Sequence, residues 1–348
     1  MTPQRNFVQA VAKAITFNLI FLVGFLASCN GDNPSSGDSG SALNAGREYM
    51  MWWNASAYDQ IWKQATSQFK TTFGSLQNFQ AASEQAKEEY GAQTTLKGER
   101  VFDMGSIFQY ESVAKYANKS DLASFEWQLD SSNDILSLYV RDLPQEAPSA
   151  YLDYQTKTKL RLPFDDEWTV MWGGRSTWEN YHADTPNQRF AYDFFVVKNG
   201  YFSGDGSQNA QHYAFGKTVV APGSGVVIAA ESSVPDNVPG EENFAQPLGN
   251  HVIIDHENGE YSVLAHFQRG SVVVQVGDRV VAGQKLGLCG NSGGSDLPHL
   301  HYHIQNTPFP LVNGVVDGEG LPTQFTNYFA DGTRISRGEP VRGQRVHP

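Results

Sequence analysis

Cysteine is close to absent: of 348 residues only Cys29 and Cys289 carry a thiol, too few for a disulfide framework. Basic residues are scarce as well. Lys and Arg number 25 against 37 Asp and Glu, a formal net charge of −12. Such a surface lacks the clustered positive charge that phosphate backbones require, which excludes nucleic acid as a partner. No apolar run has bilayer-spanning length. The run from about Ala14 to Ala27 would reach roughly 21 Å as a helix, short of an about 30 Å hydrocarbon core. Tryptophan is missing after Trp178 and histidine is missing before His182, so the two halves are built from different materials. What is present is enough to fold: 40% hydrophobic residues and 12% aromatics suffice for packed cores, and the length predicts two folded units.

Arg5 and Lys13 precede the apolar run, which carries no charge and ends in Leu26-Ala27-Ser28-Cys29. Those flanks and that length are the pattern of an export signal rather than a membrane span. The last four residues resemble the lipobox of bacterial lipoproteins. The resemblance implies a signal peptide over 1–29 whose Cys29 is lipidated; the alternative is an ordinary secretory signal that happens to contain a cysteine. Residues 30–42 are rich in Gly, Ser and Pro and predict a flexible tether. The expected location is the bacterial cell envelope, outside the cytoplasm, with membrane contact through the lipid. Asn30 after the cysteine favours the outer membrane if the cell has one.

The first unit, expected over 43–150, reads as α+β. Tyr58, Ile61, Trp62, Ala65 and Phe69 form a helical stripe, and Leu76, Phe79, Ala82, Ala86 and Tyr90 form a second after Gly74-Ser75. Three β-rich runs follow, Ile107–Tyr116, Leu122–Leu129 and Ile135–Leu143, separated by polar turn clusters. Helices followed by an antiparallel meander resemble the cystatin-like cone, by element order alone. No acid–base constellation stands out in this unit, so a binding or spacing role is expected, which leaves room for an envelope ligand. The second unit, expected over 151–330, is a succession of short β-rich runs punctuated by Gly and Pro, the pattern of an all-β antiparallel domain. Phe164–Glu179, rich in Trp and Gly, is placed as its opening strand and a groove wall, and Ser203–Ser207 as a mobile loop beside the groove. Residues 331–348, with Arg334, Arg337, Arg342 and Arg345 among Gly and Pro, read as an exposed tail.

The chemistry concentrates in Pro298-His299-Leu300-His301-Tyr302-His303. Alternate residues of a strand share a face and rise about 6.6 Å, so the three imidazoles point one way and can converge on a metal ion. A cluster of satisfied histidines would have the same pattern. Asp193, however, sits in the apolar run Phe190–Val197, where an unpaired carboxylate is costly and is usually paired or metal-bound. Asp184-Thr185-Pro186-Asn187 reads as a turn that folds His182 back toward it, and His266 closes the run Tyr261–His266. Two imidazoles and one carboxylate leave a fourth tetrahedral position open, the pattern of a catalytic zinc site, and suit zinc better than other divalent metals.

At this point a resemblance becomes specific. His182 and Asp193, Val219–Val227, Gly249–His256, Leu264–Phe267, Gly290–Gly293 and Pro298–His301 follow the order of motifs in the lysostaphin-type (LytM, β-lytic) zinc endopeptidases of bacterial peptidoglycan. The resemblance covers about 120 residues. It implies His182, Asp193 and His301 as zinc ligands, with His266 and His299 as catalytic groups that polarise water and bind the oxyanion. It also implies a peptide bond of wall cross-links or stem peptides as substrate. His303 stands where the family commonly has Glu and is placed behind a ligand as its orienting partner. The family usually separates its first His and Asp by three residues; here ten intervene. Family members that lose zinc ligands act as activators of other wall hydrolases, which makes a non-catalytic wall-binding protein the competing reading.

Overall fold

The computed structural model describes residues 39–309, 311–312 and 315–348 and divides into two units, one running through Pro144 and one from Gln145. The export signal, Cys29 and residues 30–38 of the expected tether lie outside the described residues. Among those described, no helix is long and apolar enough to cross a membrane.

The first unit packs four helices, α1 (Ser39–Asn54), α2 (Tyr58–Lys63), α3 (Ser67–Phe73) and α4 (Leu76–Tyr90), on one face of an antiparallel meander. Its strands are β1 (Gln93–Asp103), β2 (Ile107–Tyr116), β3 (Leu122–Asp130) and β4 (Ile135–Leu143), paired in chain order. Helix α1 corrects the tether: residues 39–42 are its first turn, and Ala42 is already buried in the core. The stripe from Tyr58 to Phe69 forms two helices rather than one. Thr66 caps the second, its Oγ1 accepting from the Phe69 N–H, and so starts a new axis. Ser75 caps α4 in the same manner, accepting from Asn78 N–H. Trp53, Phe69, Phe79, Phe125 and Trp127 fill the space between helices and sheet.

The second unit begins at Gln145 rather than 151, because Ala147 donates its N–H to the Ala183 carbonyl at 2.7 Å. Its strands are β5 (Trp168–Trp172), β6 (Tyr192–Phe195), β7 (Thr218–Val220), β8 (Gly225–Glu231), β9 (Asn250–Asp255), β10 (Tyr261–Phe267), β11 (Arg279–Val280), β12 (Lys285–Leu288) and β13 (Leu300–Gln305). After them come β14 (Leu311–Val312), β15 (Val315–Val316), β16 (Gly320–Leu321), β17 (Phe325–Ala330), β18 (Thr333–Gly338) and β19 (Arg345–His347). The main sheet runs β11-β8-β9-β10-β13-β6-β5-β19-β17-β18, with β16 also on β13, and its pairings are antiparallel. Ser271–Val276, β-rich in composition, is no ladder strand; Val273 N–H to the Leu286 carbonyl and the bonds between Ser271 Oγ and Leu288 tie it to β12.

The exposed tail is a second correction. Residues 331–348 supply β18 and β19, and β19 is wedged between β17 and β5. The turn that starts them is Asp331-Gly332, with φ of 48° and 75°, between the pair Ala330 and Thr333. Two consecutive positive-φ residues make the tight hairpin whose twist matches that of the strands. Arg342 is buried with its guanidinium 3.9 Å over the Trp172 ring and donates to the Trp178 carbonyl at 3.1 Å. Arg342 therefore ties this stretch to the segment of Trp172 and Trp178.

Candidate metal centre

The centre sits where β6, β13 and β10 run side by side. Along β13 the two-residue period divides the strand: Leu300, Tyr302 and Ile304 enter the apolar core, while His301 and His303 take the other face with Gln305. On β6, Tyr192 and Phe194 enter that core, which leaves Asp193 on the histidine face directly opposite His301. Ala265 of β10 faces His301 from the other side, and its small side chain leaves room.

His266 arrives there by an irregularity. Strict alternation would put it on the core face with Leu264. The β10–β9 register slips between Leu264 and Phe267, and His266 adopts φ of +67°, so that Phe267 takes the core position and His266 turns to the centre. A non-glycine residue in that region is strained by about 1 kcal/mol or more, and bulges of this kind re-aim side chains.

His182 comes from the segment before β6. Two short 3-10 turns, Tyr181–Asp184 and Pro186–Gln188, absorb the ten intervening residues and bring its Nε2 to 3.6 Å from Asp193 Oδ2. Asp193 Oδ1 lies 2.9 Å from His301 Nδ1 and 3.6 Å from His299 Nε2. His182, Asp193 and His301 are buried and each offers one ligand atom within 4.8 Å of the others. The ring centroids of His266 and His299 are 4.8 Å apart, and that of His266 lies 5.8 Å from that of His301. All five residues singled out for metal and catalysis thus meet in one place. His303 lies behind His301, with its Nδ1 2.9 Å from His301 Nε2.

Hydrogen bonds decide which nitrogens face inward. His266 Nδ1 donates to the Ser292 carbonyl and His299 Nδ1 to the Leu297 carbonyl, both at 2.8 Å, which turns each Nε2 toward the centre. Asn180 does the same for His182. Its amide nitrogen is spent on the carbonyls of Gly174 and Ala191, so its Oδ1 accepts from His182 Nδ1 at 2.9 Å. Tyr181 stacks on His182 at 3.9 Å and donates its hydroxyl to Asp193 Oδ2 at 3.2 Å. Sequence reasoning missed Asn180, Tyr181 and the backbone acceptors. Adjacency of Asn180-Tyr181 to His182 was the signal available, but their roles depend on the loop's path.

Burial pushes His182 down to about 3 and, with its neighbouring imidazoles, holds His266 well below the ordinary histidine value. Burial also pulls on His299, but the Asp193 carboxylate outweighs it and keeps that imidazole above the ordinary value. Burial alone would raise Asp193; the surrounding imidazoles hold it well below the usual carboxylate range, so it stays ionised. A neutral His182 and an ionised Asp193 are in the protonation states a divalent metal requires of its ligands. Two imidazoles, one carboxylate and no competing lysine or arginine on Asp193 among its ion pairs fit zinc.

The remaining histidines do other work. His256 bridges the Ser224 carbonyl at 2.8 Å and Ser262 Oγ at 2.7 Å, and His251 Nδ1 contacts the Gly249 carbonyl at 2.8 Å. His212 Nε2 donates to the Gly206 carbonyl at 2.9 Å, which ties down the 203–207 loop that composition suggested was mobile. Cys289 is buried in the apolar core.

This is a β-sheet domain built around a buried His/Asp centre of metallopeptidase type. Residues 209–313 match the family model of Peptidase family M23, and the second unit accordingly carries a domain of that family. The matched stretch contains His266, His299 and His301 but begins after His182 and Asp193, which only the fold brings to the centre. Among curated proteins, the chain is 38% identical over 80 residues to the peptidoglycan DD-endopeptidase ShyC of Vibrio cholerae, covering 23% of this chain and 17% of that protein. It is 36% identical over 63 residues to the murein hydrolase activator EnvC of Escherichia coli, covering 18% and 15%. The chain spans a fifth or less of the length of the curated relatives it matches. Among solved structures, the catalytic domain of the M23 protein EnpA of Enterococcus faecalis aligns at 20% identity with a TM-score of 0.29. That alignment covers 47% of this chain and 93% of that one.

Proposed function

We propose that the chain is a zinc endopeptidase that hydrolyses peptide bonds of bacterial peptidoglycan, in cross-links or stem peptides. We further propose that it is held outside the cytoplasm by a lipid on Cys29. One observation carries the catalytic reading: His182, Asp193 and His301 offer ligand atoms within 4.8 Å of one another, beside the inward-facing Nε2 atoms of His266 and His299. Zinc held by the first three would polarise the scissile carbonyl and lower the pKa of a coordinated water toward 7. His266, neutral and bare at Nε2, is placed to accept a proton. His299, held more basic by Asp193, is placed to donate a hydrogen bond to the oxygen that gains charge. The DD-endopeptidase named among the relatives supports peptidoglycan as substrate. The activator among them favours the second reading, a wall-binding protein that stimulates other hydrolases. The intact set of five side chains favours the enzyme.

The test is digestion of purified wall sacculi by a soluble chain starting at Asn30, with and without chelator and beside His301→Ala, with released fragments identified by mass spectrometry. New peptide ends that vanish with chelator and in the variant are expected. A zinc-loaded wild type that releases nothing from several wall types would transfer the case to the activator. Cys29 is tested separately, by labelling with a fatty-acid probe in cells carrying the wild type or Cys29→Ala.

A second expectation concerns Gly249, which has φ of +57°; a Cβ there would lie 2.3 Å from the Ser292 carbonyl oxygen that orients His266. Gly249→Ala should reduce fragment release about 100-fold, since an about 1 Å misplacement of a catalytic group costs that much. Zinc content should be retained, because none of the three ligands moves. Loss of zinc along with activity would show that the substitution had disrupted the whole centre.

A further inference from the structure

Where two helices of the first unit end, the packing leaves a hollow. Helix α1 stops at Asn54 and α4 at Tyr90, and a cavity of about 490 Å³ opens between these ends and the sheet. Its origin is visible in the stripe that α4 buries. Phe79, Ala82, Ala86 and Tyr90 face the core, and at Ala86 that face carries only a methyl group. Trp53, Tyr90, Tyr116 and Phe125 form the apolar lining, each of them 3% exposed or less. Tyr90 and Phe125 stand edge to face with ring centroids 5.9 Å apart, and the Tyr116 ring lies 5.3 Å from that of Phe125. The volume falls within the ~300–1,000 Å³ range of small-molecule sites.

Among the lining residues Lys87 carries the only charge. It is half-buried in the last turn of α4, and its ammonium donates to two neutral oxygens, the Asn54 carbonyl at 3.2 Å and Ser56 Oγ at 2.7 Å. No carboxylate among the described residues forms an ion pair with it. Glu84, the acid whose field it feels, accepts instead from Tyr58 Oη at 2.6 Å and from Ser56 Oγ at 3.2 Å. Burial therefore depresses the Lys87 pKa, and Glu84 offsets this only in part. A second donor in the same lining is unanswered. The Tyr116 hydroxyl is buried and has no hydrogen-bond partner among the described residues, a costly state for a polar group.

We propose that this cavity binds an apolar organic acid, with its body against the four aromatic rings and its anionic group at Lys87. The ligand class follows from what the lining offers. Aromatic faces hold rings and aliphatic chains and give little to a strongly hydrated molecule. An ammonium beside such faces selects a carboxylate or sulfonate over a neutral group, and the hydrogen bond is stronger for being formed out of water. A cationic ligand would meet the wrong sign, since no acidic side chain lines the cavity. An acceptor oxygen on the ligand would also give the Tyr116 hydroxyl its partner. None of this involves the metal centre, so the proposal stands apart from the peptidase reading.

The test uses the soluble chain starting at Asn30 and two fluorescent probes that share one body, the anion anilinonaphthalenesulfonate and the neutral phenylnaphthylamine. The wild type is expected to bind the sulfonate more tightly than its neutral counterpart. Lys87→Met should weaken the sulfonate about 10-fold, as loss of one charge-assisted hydrogen bond does, and leave the neutral probe within about twofold. Lys87→Arg should retain most of the sulfonate affinity. Ala86→Leu fills the space from a helical position that leucine suits, and should weaken both probes in a chain of unchanged circular dichroism. Sulfonate binding that is undiminished in Lys87→Met would overturn the proposal. Equal weakening of both probes by that variant would reduce Lys87 to packing, with the same consequence. A wild type that binds neither probe, or an Ala86→Leu chain of native circular dichroism that binds both as before, would show that the cavity is not a ligand site.

Discussion

Asp193→Asn is expected to abolish both zinc retention and the release of wall peptides. Asp193 is the one carboxylate in the centre, and imidazole nitrogens of His182, His299 and His301 lie 2.9 to 3.6 Å from it. Its negative charge is what makes a buried divalent cation tolerable among neutral rings. An asparagine is nearly the same size and loses that charge. The loss should exceed the roughly 10–100-fold that removal of an outer partner costs. Metal content after dialysis against a weak chelator is the direct readout, with circular dichroism to show that the fold persists. An Asp193→Asn protein that keeps one zinc per chain would remove Asp193 from the ligand set.

The largest effect on stability is expected from Glu260→Ala, well away from the centre. Glu260 is fully buried at the turn before β10 and accepts from Tyr154 Oη at 2.8 Å, Lys157 N–H at 2.6 Å, and Thr158 N–H and Oγ1 at 2.8 and 2.5 Å. It fastens the irregular segment 154–158 to the sheet. Truncation would strand several part-buried donors, two of them backbone, at a cost on the order of 3 kcal/mol. A pH dependence follows. Burial raises the Glu260 pKa, but these hydrogen bonds outweigh it and hold the carboxyl below its ordinary value of 4.5. A group depressed in the folded state stabilises fully above its unfolded pKa and loses that contribution as pH falls through the folded one. Melting temperatures of wild type and Glu260→Gln should therefore differ most above pH about 4.5 and converge in more acidic solution. Parallel curves down to acid pH would show that the carboxylate's charge is not what the turn relies on.

How much of this was legible beforehand differs between the elements. The runs 107–116, 122–129 and 135–143 became β2, β3 and β4 almost residue for residue, because polar clusters bound each of them. Helix α1 escaped notice because its N-terminal turn has tether composition; it is helical because Ala42, Tyr49, Met50 and Trp53 find a core to pack on. The C-terminal hairpin did carry a local signal, Asp331-Gly332 between alternating residues, which the Arg, Gly and Pro around it obscured. The long His182–Asp193 spacing could be reconciled with one centre only by the two 3-10 turns.

The sequence by itself determined the chemical inventory: four histidines and one carboxylate in an order that implies a peptidase, and a two-residue period on β13 that puts His301, His303 and Gln305 on one face. Those properties are local, set by residue identity and strand geometry. The direction in which His266 points, the proton each ring carries, and the meeting of Asp193 with His182 were decided only by the tertiary structure. A bulge, a backbone carbonyl from a distant loop and the register of β6 against β13 are relations between segments far apart in the chain, and no local pattern encodes them.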